Sequence, residues 1–129
     1  MSATPDHPPA SAAGEDLQPV LDWHTAVNEQ DLDLARATAD GSIAVGGPQG
    51  TAVGVEVFLD WIRRVGIRLE PMSWHPVDAG TVVVGQDATW EAGEPQQVAT
   101  LFRVAGGRVT AALRFPTVQA ALDAVVTTS

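Results

Sequence analysis

Leu21-Asp-Trp-His-Thr-Ala-Val-Asn-Glu-Gln-Asp-Leu-Asp33 is the stretch whose reading decides the fold. One amphipathic helix ends inside it and a second begins with almost no linker between them. Leu17, Val20, Leu21, His24, Val27 and Asn28 recur at steps of three and four, the helical period, which predicts a helix over 15–28. Glu15 and Asp16 fall in its first turn, where the helix dipole favours anions. Asp31 is placed to cap a second helix over 32–39, with Gly41 as its stop.

Outward from that pair, 42–45 reads as a short strand closed by a glycine-rich loop over 46–50. Val55, Phe58, Leu59, Ile62 and Val65 form one apolar stripe of a third helix. Glu56 lies near its start, Arg63 and Arg64 near its end, and Gly66 just after it. Strands are predicted over 67–75, 81–91, 97–104 and 108–115, with Ala105-Gly-Gly107 as a hairpin turn. Pro116 breaks the last strand, and Thr117 is placed to cap a helix over 118–126. Helices followed by an antiparallel meander define an α+β chain. Three helices cannot cover both faces of a four-strand sheet. The economical solution curls the sheet round them and leaves an apolar hollow.

With 129 residues, the chain is read as one domain over 15–129 behind a disordered tail over 1–14 rich in Ala, Pro and Ser. The net charge is −9, from 16 acidic residues against 7 arginines, with no lysine. Such a surface repels nucleic-acid backbones and anionic membranes. No apolar run approaches the roughly 20 residues of a bilayer span, and no secretory leader is visible, so a cytoplasmic location is expected. The absence of cysteine excludes disulfides and thiolate metal sites. His7, His24 and His75 share no ligand-like spacing, so no metal is expected. The glycines at 41, 46, 47, 50 and 54 lack the lysine and the strand–loop–helix setting of a phosphate loop, and no cofactor is expected.

Ala26-Val-Asn-Glu-Gln-Asp-Leu-Asp33, Ala37-Thr-Ala-Asp-Gly-Ser-Ile-Ala-Val45, Gly54 and Thr100-Leu-Phe-Arg-Val-Ala-Gly-Gly-Arg-Val109 stand in an order that resembles the nuclear-transport-factor-2-like superfamily. That group includes ketosteroid isomerases, SnoaL-like polyketide cyclases and limonene-epoxide-hydrolase-like enzymes. The resemblance covers 16–125. It implies a cone-shaped, curved, mainly antiparallel sheet wrapped around the N-terminal helices, with an internal pocket. It also places the isomerases' catalytic tyrosine on Trp23, their general-base aspartate on Gly47 and their protonated oxyanion acid on Thr100. All three groups are replaced, which argues against steroid-isomerase chemistry by the same residues.

By the same resemblance, Val82, Val84, Gln86, Ala88 and Trp90 form the pocket-facing side of their strand. Val98, Thr100 and Phe102 form that of the next, and Ala112 and Arg114 lie toward the mouth. The expected ligand-binding set is therefore Trp23, Val27, Val84, Gln86, Trp90, Thr100, Phe102, Ala112 and Arg114. Each has a plainer alternative. Gln86 either orients a ligand oxygen or is bonded to its neighbours. Trp23 and Trp90 are either pocket walls or core. Arg114 either grips a carboxylate or enolate or makes a rim ion pair. Trp61 and Trp74 are left as core or dimer-face residues. His24 and Arg114 are the candidate catalytic residues, although His24 and Trp23, one residue apart on a helix, cannot both point squarely into the cone. His75 reads as a strand-end histidine, and Asp22 and Asp40 as solvent-facing acids.

Three functions fit. The first is a domain binding a hydrophobic or amphipathic small molecule. The second is a cyclase- or isomerase-type enzyme acting on a polyketide-like or steroid-like substrate through His24, Gln86 or Arg114. The third is a homodimeric interaction module using an outward sheet face of Val83, Ala99, Leu101 and Leu113.

Overall fold

The computed structural model describes residues 11–12, 15–16, 18–47, 50–78, 80–90 and 93–128. Two-residue strands β1 (Ser11–Ala12) and β2 (Glu15–Asp16) pair antiparallel. Glu15 and Asp16 are therefore extended, and α1 (Gln18–Glu29) starts later than its acidic residues suggest. The rest of the tail expected over 1–14 lies outside the described residues.

The junction between α1 and α2 (Leu32–Thr38) forms as its sequence implies. Gln30 takes the left-handed conformation at φ 53°. The Gln30 N–H donates to the Val27 carbonyl and the Asp31 N–H to the Ala26 carbonyl, the double closure of a Schellman turn. Asp31 then accepts from the Leu34 N–H at 3.0 Å as the cap of α2. A side chain other than glycine is disfavoured at positive φ, but the Gln30 amide donates to the Ile62 carbonyl at 3.1 Å and so ties the turn to α3. Asn28 clamps α1 to the sheet. Its amide donates to the Leu69 carbonyl at 2.8 Å and accepts from the Leu69 N–H at 2.7 Å.

The first long strand, β3 (Ala39–Gly47), begins directly where α2 ends. Gly41 lies inside this strand and does not stop the helix; Ala39, already extended, is the C-cap. The loop expected over 46–50 is a hairpin that leads into β4 (Gly50–Val53), an exposed edge strand. Gly54 precedes α3 (Val55–Val65), and Gly66, left-handed at φ 59°, ends it. Then follow β5 (Ile67–Asp78), β6 (Thr81–Trp90), β7 (Gln96–Ala105), β8 (Arg108–Phe115) and α4 (Val118–Thr128). Thr117 caps α4 by accepting from the Ala120 N–H at 3.0 Å.

The six strands run in the order β4-β3-β8-β7-β6-β5, antiparallel except for the β3–β8 pair. Bulges interrupt β5 near Pro71 and Pro76, both tolerated because β5 is an edge. The result is the α+β cone expected from the sequence. On its concave side Val20, Trp23, Val27, Phe58, Leu59, Ile62, Val82, Val84 and Phe102 share one core with α1, α2 and α3. On its convex side Val83, Ala99 and Leu101 pack beneath Ala121 and Val125 of α4. β6 is covered on both faces, and so Val82-Val-Val84 is apolar without alternation.

That second layer corrects the outward sheet face expected for dimerisation. Val83 and Ala99 are fully buried within the chain, and Leu113 packs against the same cluster. The apolar face exists because α4 folds back over it.

Candidate functional site

A cavity of about 970 Å³ opens between α1, α3, the β3–β4 hairpin and the facing ends of β7 and β8. Trp23 from α1 forms its floor, stacked on Phe58 at 5.7 Å and 7° and meeting Phe102 edge-on at 4.8 Å. Phe58, Val57, Trp61 and Arg64 line it from one side of α3. Val45, Gly46, Thr51 and Ala52 line it from the hairpin, and Val98, Thr100, Ala112 and Arg114 from the sheet.

Gly47 is placed by packing. A Cβ there would stand 2.8 Å from the Arg114 carbonyl oxygen, so this position, which the resemblance equates with a general-base aspartate, has no room for one. Thr100 and Arg114 are directly opposed on β7 and β8. Arg114 is half-buried, and desolvation lowers its pKa; a guanidinium remains cationic there. Arg64 is exposed and paired to Asp60 at 2.8 Å. No Asp or Glu stands among the described residues that line the cavity. The indole Nε1 of Trp23 is buried without a hydrogen-bond partner.

Of the expected ligand set, Trp23, Thr100, Ala112 and Arg114 meet in this cavity. Val27, Val84, Gln86 and Phe102 do not line it. Each is at most 2 % exposed and belongs to the packed layer behind the wall. The deep end of the cone is filled by Trp23, Phe58 and Phe102, which pushes the open space toward the hairpin and the β8 end. The Trp90 backbone pairs with Ile67, and its side chain lies outside the described residues.

His24 is also behind the wall, 3 % exposed. Burial lowers its pKa to about 4 against the opposing effect of its bond to the Val20 carbonyl. His24 Nδ1 lies 2.8 Å from that carbonyl oxygen, and Nε2 lies 2.8 Å from Gln86 Nε2. Thr100 donates its hydroxyl to Gln86 Oε1 at 2.7 Å. Both ring nitrogens are thereby used, and the imidazole does not reach the cavity as a general base must. Gln86 takes the plainer of its two readings, an amide satisfied by neighbours. His75 bonds Ser73 at 2.9 Å away from the cavity, Asp22 accepts from Gln18 and Asp40 accepts from the Ser42 N–H. No group of three or more His, Cys, Asp or Glu able to hold a metal occurs among the described residues.

Trp61, Val57, Phe58 and Arg64 were not in the expected set. Val57, Trp61 and Arg64, at steps of four and three along α3, flank Phe58 of its core stripe, a signal visible in sequence. Thr51 and Ala52 carried no signal, because β4 is short, small-residued and exposed.

No family model matches the sequence, and no curated protein matches it. Solved structures do match. A nuclear-transport-factor-2-like protein of unknown function from Cytophaga hutchinsonii superposes with a TM-score of 0.67 at 16% identity, covering 75% of this chain and 85% of that one. An LEH-like epoxide hydrolase of M. tuberculosis gives 0.68 at 18% identity, covering 88% and 96%. TerC, crystallised with polyporic acid, gives 0.67 at 15% identity, covering 83% and 95%. The chain has the nuclear-transport-factor-2-like fold. Among the described residues, no helix is long and apolar enough to cross a membrane.

Proposed function

We propose that this chain is a small-molecule-binding domain whose cavity takes an apolar or amphipathic ligand. The observation that carries this reading is the cavity of about 970 Å³ walled by Trp23, Phe58, Trp61, Val45 and Val57, with few polar groups. Its size and lining suit a ligand site, since such sites are mostly apolar hollows with a few placed polar groups. The co-crystallisation of TerC with polyporic acid supports the reading by analogy of fold alone.

The enzyme reading has less support. Of its two candidate catalytic residues, His24 is held neutral behind the wall, and Arg114 alone remains at the cavity. A homodimer through the outward sheet face is not supported either, because α4 occupies that face.

Thermal unfolding with a panel of neutral and charged aromatic compounds tests the proposal. A ligand at a hundredfold its Kd adds about 2.7 kcal/mol of stability. We expect Trp61→Ala, at the half-buried wall, to abolish that gain. Thr89→Ala, on β6 outside the cavity, should leave it intact. Equal losses in both variants, or no stabilising compound, would count against the proposal.

A further inference from the structure

The long sheet ends in β4 on one side and β5 on the other, and the two edges are built differently. β5 carries exposed Arg68, Glu70 and Asp78, prolines at 71 and 76, and a break in register beside each proline. Charge, proline and bulge are the devices that keep a strand edge from pairing with another chain. β4 has none of them. Gly50-Thr-Ala-Val53 is exposed throughout, uncharged and in unbroken register with β3. Val53 is 64% exposed, the most exposed large hydrophobic side chain among the described residues.

The β3–β4 ladder fixes which backbone groups of that edge are free. The Gly54 N–H donates to the Ile43 carbonyl at 2.8 Å, and bonded pairs alternate with unbonded ones along an antiparallel ladder. With Ala44 opposite Val53 and Gly46 opposite Thr51, the N–H and carbonyl groups of Thr51 and Val53 point away from β3. Two copies of this strand complement one another about a two-fold axis at Ala52. Thr51 of each copy then stands opposite Val53 of the other. All the outward N–H groups and carbonyls of those residues are paired, and β-branched side chains meet across the ladder. No charge faces a like charge there, although each chain carries −9.

We propose that β4 is a self-association edge, through which two copies pair antiparallel with Ala52 against Ala52. The occupant is a second copy because the free groups complement themselves in this register, and because the strand offers no charge to select a different partner. A strand of 4 residues buries little area, so the dimer is a weak and transient one. It leaves α4 over the outer face. Because Ala52 lines the cavity, it also sets the two cavities on either side of one axis. The small-molecule reading does not depend on it.

Sedimentation of the full chain over a concentration series reaching about 1 mM, in about 0.5 M salt to screen the net charge, tests the proposal. We expect a concentration-dependent dimer that Val53→Lys weakens about tenfold while keeping the parental circular dichroism. The chain has no cysteine, so Ala52→Cys carries a single thiol. Opposed Cα atoms of an unbonded pair lie about 4.5 Å apart, within reach of a disulfide. At concentrations where the parent dimerises, mild oxidation should link Ala52→Cys roughly tenfold faster than Ala37→Cys, an exposed alanine on α2. Equal cross-linking of the two cysteine variants, or a dimer untouched by Val53→Lys, overturns the proposal. So does a parent chain that stays monomeric throughout, which would leave the edge to an extended peptide of another protein.

Discussion

Protonating His24 would set two donors face to face, its own Nε2–H and the Gln86 amide. The buried ring is therefore disfavoured as a cation, with a pKa lowered to about 4 from 6.5. Above pH 6.5 the ring is neutral whether the chain is folded or unfolded, and the shift contributes nothing. As the pH falls from 6.5 toward 4 the unfolded chain binds the proton first, and the folded state loses stability by up to about 3 kcal/mol. Denaturant titrations of the parent and His24→Gln across this range should therefore diverge, the variant showing the flatter profile. Parallel profiles would place the ring in an ordinary environment. The sequence flagged His24 for its residue type and helix position. Whether it served a site or a core depended on Gln86, 62 positions away, which no local pattern could pair with it.

Among the elements, α4 has the consequence most easily missed in sequence. Its apolar residues were legible, and so was the apolar outward face of the sheet, but not that each exists to cover the other. Ala121 is fully buried in that contact. Ala121→Asp would bury an unpaired carboxylate or release the helix, at a cost of several kcal/mol. Sedimentation velocity should then show more self-association than in the parent chain, through the uncovered sheet. A monomeric variant of parental stability would mean that α4 does not hold there. The helices were read more fully than the strands, because capping and stripe signals lie within a few residues. The hairpin of β3 and β4 was missed because Gly50-Thr-Ala-Val53 is exposed along its whole length and has no buried face to mark it.

For the whole molecule, the decisive feature is where the cone remains empty. Three aromatic rings close its deep end, and about 970 Å³ stays open beside the hairpin. Ala112 stands on that open wall, directly opposite Phe102 on the next strand. Ala112→Leu should fill part of the hollow and raise unliganded stability by about 1 kcal/mol, as cavity-filling changes do. It should also weaken any ligand-dependent thermal shift. Loss of stability would mean that the wall is already packed at that point.

The amino-acid sequence by itself determined the four helices and the long strands β5 to β8 in their order, the turn joining α1 to α2, the stripe of α3 and the net negative charge. Each rests on a period, a cap or a count that lies within a short stretch of chain. Only the tertiary structure decided which side chains wall the cavity, that Gln86 and His24 stand behind it, and that α4 seals the outer face. Those outcomes depend on burial and on hydrogen-bond direction, which are set jointly by residues far apart in the chain and meet only once the sheet has curled.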